Sequence, residues 1–343
     1  MIKTRTSQLI LFFLVIILSS ACLTEKSLSD IKESGKITIL TKNNAHCYYI
    51  YRELHMGFEY ELSTAFADYL GVDLNVKTPG WPRMYAALNK GRGDFIAASL
   101  TITPEREKIV DFSDEYMAIQ QQVIIHKDNP EIRRLDDLKG KTVHIRKDSS
   151  YHERLLDLNK EGFEIKLVAH KRTSTEEFIR QIAEKEIDIT VADSNIALLN
   201  RLYYPDIRMA FPLNKKQSLG WIVREGQSEL LNEINTFLQK IKQDGTFDDI
   251  YRKYYANVDI FDYYGVKKFH EAIETKLPAY EDIIKQESNK YGFDWRLIAA
   301  TVYQESRFQP KAKSYTGVRG LMQITKRTAG EMGIENRYTV RIV

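Results

Sequence analysis

Between about Gly35 and Tyr255 the chain alternates short apolar runs of strand length with longer stretches of helical period, and no other feature restricts its fold as much. Strand-like runs fall at Ile37 to Thr41, Phe95 to Leu100, Gln122 to His126 and Ile187 to Ala192, and helical stretches at Phe58 to Leu70 and Glu229 to Gln243. Strands interleaved with helices predict an α/β domain with largely parallel sheets. The roughly 220 residues involved exceed what one small core needs, so two lobes are expected.

A different pattern begins near residue 294. Asp294 is a good N-cap, and Trp295, Ile298, Ala299 and Val302 follow at the spacing of a buried helical stripe. Glu305 lies three residues past Val302 and seven past Ile298, which puts it on that stripe. A carboxyl set against an apolar face is poorly solvated when ionised, so it keeps a proton toward neutral pH and suits general-acid work. The plainer alternative is a glutamate that ends a helix and turns to water. After it come Ser306, Pro310, Ser314 and the run Gly317-Val318-Arg319-Gly320-Leu321-Met322-Gln323, with no Asp or Glu before Glu331.

That stretch, with its Glu-Ser pair and Gly-x-x-Gly-Leu-Met-Gln run, resembles the catalytic module of the lytic transglycosylases, relatives of goose-type lysozyme. The resemblance implies an α-helical, lysozyme-like domain that breaks the MurNAc-GlcNAc β-1,4 bond of peptidoglycan glycan strands with a single carboxylate, where most glycosidases use two. It implies that Glu305 protonates the glycosidic oxygen and then deprotonates the muramic C6 hydroxyl, leaving 1,6-anhydromuramic acid. Ser306 would orient Glu305, and Ser314, Gly317, Gly320, Met322 and Gln323 would belong to the glycan groove, the two glycines letting the backbone come near.

Within residues 35–256, Gly57-Phe58-Glu59-Tyr60-Glu61-Leu62, Thr101-Ile102-Thr103-Pro104-Glu105-Arg106, Asp111-Phe112-Ser113 and Gln243-Asp244-Gly245-Thr246-Phe247 resemble the family-3 extracellular solute-binding proteins. This resemblance implies a two-lobed, periplasmic-binding-protein-like domain that takes an amino acid or a murein peptide. Such a ligand carries a carboxylate and an ammonium, and needs a fixed cation and a fixed anion with little water between them. Arg106, helped by Thr101, matches the carboxylate grip, Asp193 the ammonium partner, Trp81 the aromatic that packs on the ligand, and the backbone near Ser149 the contact from the second lobe. Lys42 stands where some members carry an acid. Taken singly, each has a structural alternative: a helix-start arginine, a turn aspartate, a packed tryptophan.

Residues 1–21 combine a basic start at Lys3 and Arg5, an apolar run from Leu9 to Leu18 too short to span a bilayer, and small residues before Cys22, as in a bacterial export signal. Ser19-Ser20-Ala21-Cys22 resembles a lipoprotein cleavage box, although Leu18 stands one step further from the cysteine than usual. A lipid on Cys22 would attach residues 22–34 as a spacer to a membrane. Leu23, where an Asp would favour the inner membrane, points to the outer membrane, facing the periplasm. Loss of residues 1–21 removes Lys3 and Arg5 and no acid, so a net charge of +3 becomes +1, and nothing suggests nucleic acid. Cys47, beside His46, then has no thiol partner and reads as a small buried hydrophobe. No metal site or cofactor is expected.

Residues 257–276, with Phe261, Tyr263 and Tyr264, read as a linker, and 277–343 as the transglycosylase module, shorter than the module it resembles and so read as truncated. The function expected from the combination is murein cleavage regulated by a bound amino acid or peptide. The alternative is a lipid-anchored amino-acid-binding protein, a transport receptor or sensor, with an inactive tail.

Overall fold

The computed structural model describes residues 26–51, 53–255 and 263–338. The chain forms two compact units, one reaching to Ile260 and the other running from Phe261 to Val343.

The first unit opens with helix α1 (Leu28–Ser34), strand β1 (Lys36–Leu40) and the hairpin of β2 (Tyr49–Tyr51) and β3 (Leu54–Met56). Helix α2 (Phe58–Leu70), β4 (Asp73–Lys77), α3 (Met84–Asn89), β5 (Phe95–Thr101), β6 (Asp111–Phe112) and β7 (Met117–Ile119) follow. A second layer is built from β8 (Gln121–His126), β9 (Thr142–Arg146), α4 (Ser150–Lys160), β10 (Lys166–His170), α5 (Thr175–Ala183), β11 (Ile189–Asp193), α6 (Ser194–Arg201) and β12 (Ile207–Pro212). The chain then returns through β13 (Gln217–Val223), α7 (Ser228–Asp244) and α8 (Thr246–Tyr255).

Besides the two-stranded β2-β3 hairpin, two large sheets result, ordered β4-β1-β5-β13-β6, with β7 also on β13, and β10-β9-β11-β8-β12. Each is the heart of one lobe, as expected from the length. They are mixed rather than largely parallel. β1 runs parallel to β4 and β5, and β9 to β10 and β11, whereas β13 is antiparallel to β5, and β8 to both β11 and β12. The antiparallel strands β8 and β13 are those that enter a sheet from the opposite lobe, without the helical crossover that parallel neighbours require. At the two crossings the Gln120 side chain donates to the Asn214 carbonyl (2.8 Å), and Asn214 donates to Gln121 Oε1 (3.0 Å).

Apolar burial explains why each lobe holds. β5 is buried along its whole length, as a central strand covered on both faces must be, and Phe66, Phe95, Trp221 and Phe237 form an aromatic cluster beside it. The second lobe packs Val123, Ile125, Val143, Ile145, Leu155 and Val191. Residues 28–34 are not a spacer. Ser27 and Asp30 form a capping box on α1, and Ile31 is fully buried in the first lobe's core. Apolar burial thus draws the helix onto the domain.

One buried carboxylate binds this lobe together. Glu59, at the start of α2, accepts from the Ser99 backbone N–H (2.6 Å), the Ser99 hydroxyl (2.8 Å), the Tyr116 hydroxyl (2.5 Å) and Trp221 Nε1 (2.9 Å). Its four donors come from β5, from the approach to the second lobe and from the returning strand.

The second unit is helical, as expected: α9 (Tyr263–Thr275), α10 (Glu281–Lys290), α11 (Trp295–Ser306) and α12 (Lys326–Glu331). Its core gathers Ala272, Leu277, Ile284, Ala299, Val302, Tyr303, Phe308 and Leu321. The stretch expected as a linker is therefore largely α9, drawn into the unit by Ala272, Phe269 and Ile273. The side chains of Phe261, Tyr263 and Tyr264 lie outside the described residues.

Replacing Glu59 by Gln puts an NH₂ group against donors and removes the charge that strengthens the four bonds. Glu59→Gln is expected to destabilise the first unit by about 3 kcal/mol, read as a lower urea midpoint by tryptophan fluorescence. A midpoint equal to that of the parent would contradict this account.

Candidate functional site

Four residues from strand ends meet in one cleft of the first unit. Lys42 follows β1, Thr101 closes β5, Arg146 closes β9 and Asp193 closes β11, and the members of each pair of strands are parallel. Ligands of α/β sheets bind outside such carboxyl ends. Trp81, Thr101, Arg106, Ser149 and Asp193, the five residues expected from sequence, all line this cleft.

Arg106 is buried and donates to the Thr101 carbonyl at 2.9 Å, with Glu153 at 3.7 Å. Thr101 Oγ1 lies 3.3 Å from Ser150 Oγ of the other lobe. Ser149 caps α4, accepting from the His152 N–H (3.3 Å) and donating to the Arg146 carbonyl (2.7 Å). The Trp81 indole donates to the Lys147 carbonyl at 3.3 Å. Asp193 Oδ2 accepts from the Tyr151 hydroxyl at 2.9 Å, while its Oδ1 is buried with no hydrogen-bond partner among the described residues. Burial pushes this carboxyl up to about 6, against the pull of the Tyr151 hydroxyl, Lys42 and Arg106.

Sequence reasoning missed Arg146, Tyr151 and Glu176, and left Lys42 without a role. Their only signal is position: Lys42 and Arg146 stand at strand ends, and Tyr151 and Glu176 sit in the first turns of α4 and α5. Lys42 Nζ is 5.0 Å and the Arg146 guanidinium 5.1 Å from the centre of the Trp81 ring. Burial pushes the Lys42 ammonium down. Glu176 accepts from Asn44 Nδ2 at 2.9 Å and lies 3.6 Å from His46. Burial pushes the His46 imidazole down to about 4, against the attraction of Glu176, so near neutral pH the pair carries its charge on Glu176. Cys47 is fully buried, with burial pushing its thiol up to about 12, in keeping with a small hydrophobe.

The cavity enclosed by these residues measures about 30 Å³, the share of one water in the liquid. The lobes must part to admit an amino acid. Beside it a cavity of about 540 Å³ shares Lys42, Asn44, Trp81, Arg146 and Glu176, and extends to Tyr203 and Tyr204.

In the second unit, Asp294 caps α11 through the Arg296 N–H (2.9 Å). The helix ends at Arg307 and Phe308, both left-handed, with φ of 55° and 57°. Its buried stripe is Ala299, Val302, Tyr303 and Ser306. Glu305, expected on the stripe, is instead exposed. It stands about a third of a turn from the stripe's centre, because the helix rolls Tyr303 and Ser306 inward. Ser306 does not orient Glu305: its hydroxyl donates to the Val302 carbonyl at 3.1 Å, the nearest acceptor for an inward-facing serine one turn on.

The loop after α11 folds back on the same core through Phe308 and Leu321. Ser314 Oγ lies 2.7 Å from Thr316 Oγ1, and the Gly317 N–H donates to the Ser314 carbonyl at 3.2 Å. Gly317 and Gly320 have φ of 90° and 81°. Arg337 donates to the carbonyls of Gly317 (2.8 Å) and Ile324 (3.0 Å). Met322 packs against the core, and the Gln323 amide donates to the carbonyls of Ala312 (3.2 Å) and Gly320 (2.8 Å). Gln323, expected to line a groove, therefore ties the loop to itself, adding a second donor to carbonyls that already accept from the Gly320 and Gln323 N–H groups.

A description for bacterial extracellular solute-binding proteins, family 3, matches residues 37–257, and one for the transglycosylase SLT domain matches residues 282–341. A membrane-bound lytic murein transglycosylase F from Desulfosudis oleivorans is 54% identical over 313 residues, covering 91% of this chain and 69% of that protein. Its namesake in Pseudomonas putida is 36% identical over 344 residues, covering 99% of this chain and 71% of that protein. The chain belongs to the membrane-bound lytic murein transglycosylase F family. Among solved structures, an ancestral arginine-binding protein bound to arginine superposes with a TM-score of 0.59 at 30% identity, covering 64% of this chain and 98% of that one. An ancestral amino acid-binding protein, a precursor of cyclohexadienyl dehydratase, gives 0.58 at 28% identity, covering 66% and 98%. Both fold matches thus concern the solute-binding part of this transglycosylase F family member. Cys22 and the apolar run before it lie outside the described residues, and no described helix is long and apolar enough to cross a membrane.

A Cβ on Gly320 would run into the Arg337 carbonyl, and the left-handed conformation itself costs a non-glycine residue about 1–2 kcal/mol. Gly320→Ala is expected to weaken the second unit by about 2 kcal/mol or more, seen as faster proteolysis of the loop at Lys313 and Arg319. An unchanged cleavage rate would refute the close contact.

Proposed function

We propose that this chain is a murein-degrading lytic transglycosylase whose solute-binding domain takes an amino acid or murein peptide and regulates cleavage. The observation that carries the enzymatic part is Glu305, exposed at the end of α11 beside a glycine-turned loop packed on the same core. It is supported by the relatives, which are lytic murein transglycosylases F. Glu305 would protonate the glycosidic oxygen, then accept the proton of the muramic C6 hydroxyl as that oxygen attacks the anomeric carbon. The bond to the leaving sugar breaks and a 1,6-anhydro ring closes, so one carboxyl serves both steps. Because Glu305 faces water here, this reading requires the bound glycan to exclude water from it.

The binding part rests on Arg106 and Asp193, which pair a buried guanidinium with a buried carboxylate that has an unused oxygen. Closure of the lobes on a ligand would bias the catalytic unit only if the ligand binds two states of the protein with different affinity. We further propose a lipid on Cys22 that holds the protein at the outer membrane, facing the periplasm.

Incubation with purified sacculi is expected to release muropeptides that end in anhydromuramic acid, and Glu305→Gln to slow this at least about 100-fold. Products with reducing ends, or a variant as active as the parent, would overturn the reading. Asp193 provides a pH test. Burial pushes its carboxyl up to about 6, and a bound ammonium favours the ionised form, so its pKa falls on binding. Affinity for an L-amino acid is therefore full above about pH 6 and weakens by up to about tenfold per unit below it. Calorimetry from about pH 8 to about pH 5 measures this, and a flat profile would remove Asp193 from the ammonium site.

A further inference from the structure

We propose that the cleft selects an α-amino acid with an acidic side chain, whose second carboxylate is held between Lys42 and Arg146. This rests on the reading of Arg106 and Asp193 given above, which engages those two groups with the ligand's α-carboxylate and ammonium. What remains around the ligand is Lys42, Arg146 and Glu176, two cations against one anion.

The anion is already served. Glu176 has the Asn44 amide at 2.9 Å and His46 at 3.6 Å. Neither cation makes an ion pair, although the charge of Glu176 attracts both and each lies over the Trp81 ring. Among the described residues the side chains of Lys42 and Arg146 have no hydrogen-bond or ion-pair partner, and Arg146 Nε is buried and unpaired. Both stand near 5 Å from one Trp81 ring, at 5.0 and 5.1 Å. Like charges held close in a poorly hydrated site raise its free energy unless an anion joins them.

Two residues of the cleft lining thus carry complementary buried atoms without partners: Asp193 Oδ1, an acceptor that suits an ammonium, and Arg146 Nε, a donor that suits a carboxylate. Space follows charge. The cavity of about 540 Å³ begins at Lys42, Trp81 and Arg146, so a side chain leaving the α-carbon enters it past both cations. A cationic side chain would be repelled there, and a neutral one would leave both charges unpaired. Counting His46 as neutral, the charges lining the two cavities sum to one net positive, and only an anionic ligand cancels it.

The test is calorimetry on the full chain with L-glutamate, L-aspartate, L-glutamine and L-arginine at low salt. One of the two acidic amino acids is expected to bind roughly 10- to 100-fold more tightly than glutamine, the gain of charge-assisted hydrogen bonds over neutral ones. Arginine is expected to bind more weakly than glutamine. Lys42→Met and Arg146→Gln should each erase most of the preference, read as the ratio of acidic-ligand to glutamine affinity, with melting curves confirming that they fold. Should either variant fail to fold, the parent's own ratio of acidic ligand to glutamine decides. Equal binding of glutamine and both acidic ligands would overturn the anion subsite while leaving the amino-acid cleft in place. Binding of none of the four would overturn both.

Discussion

Four hydrogen bonds to the Glu59 carboxylate fix the geometry on which the solute cleft depends. Two of them hold Ser99, a non-glycine residue with φ of 48°, in a conformation that an L-residue adopts only when its surroundings dictate it. Ser99 precedes Thr101 by two positions on β5, so the twist it imposes aims the strand end that carries Thr101 and leads to Arg106. The other two donors, Tyr116 and Trp221, lie beside the outgoing and returning paths between lobes. A single buried acceptor therefore couples the floor of the cleft to both crossings. A carboxylate suits this position because it offers only acceptor sites, and every neighbour pointing at it is a donor.

Charge in the cleft is arranged on the same principle, with each buried group placed beside its opposite. Tyr151 steadies one oxygen of Asp193 and leaves the other unused. Arg106 shares its guanidinium between the Thr101 carbonyl and Glu153. Lys42 and Arg146 break the pattern, and their lack of partners distinguishes recognition groups from structural ones. A structural charge would have found its own partner, as Glu176 has in the Asn44 amide.

Much of this was legible in the chain before any coordinates. β5 and α2 fall where apolar runs and helical period put them, because both are buried elements whose pattern is local. The mixed strand direction was not legible: β8 and β13 look like any apolar strand, and their antiparallel sense follows from which lobe the chain has just left. Trp81, Thr101, Arg106, Ser149 and Asp193 come together because motif resemblance carried long-range information that periodicity lacks. Arg146 and Glu176 escaped notice since a charged residue at a strand end or in a first helical turn has an ordinary solvated reading, and only the meeting of two lobes gives it another. Gly57 shows a signal that could have been read. Its φ of 129° and the Cys47 carbonyl, which a Cβ would strike, leave no alternative to glycine ahead of Glu59.

The second unit separates position from environment. Periodicity placed Glu305 one turn after Val302, and the helix is where the spacing put it, yet the carboxylate is exposed. A stripe inferred from four apolar residues has an uncertainty of about one position, roughly 100° of rotation, which is enough to move a residue from the core to its rim. Tyr303 decided the matter: its ring packs against Phe269 and Phe308, and a large aromatic gains more from burial than Ile298 does at the stripe's edge. Rotation toward Tyr303 carries Ser306 inward to the Val302 carbonyl and turns Glu305 outward. The exposure of the acid is thus the direct result of which apolar side chain the core prefers, and a group facing outward at the end of a rigid helix is where an incoming polymer can meet it.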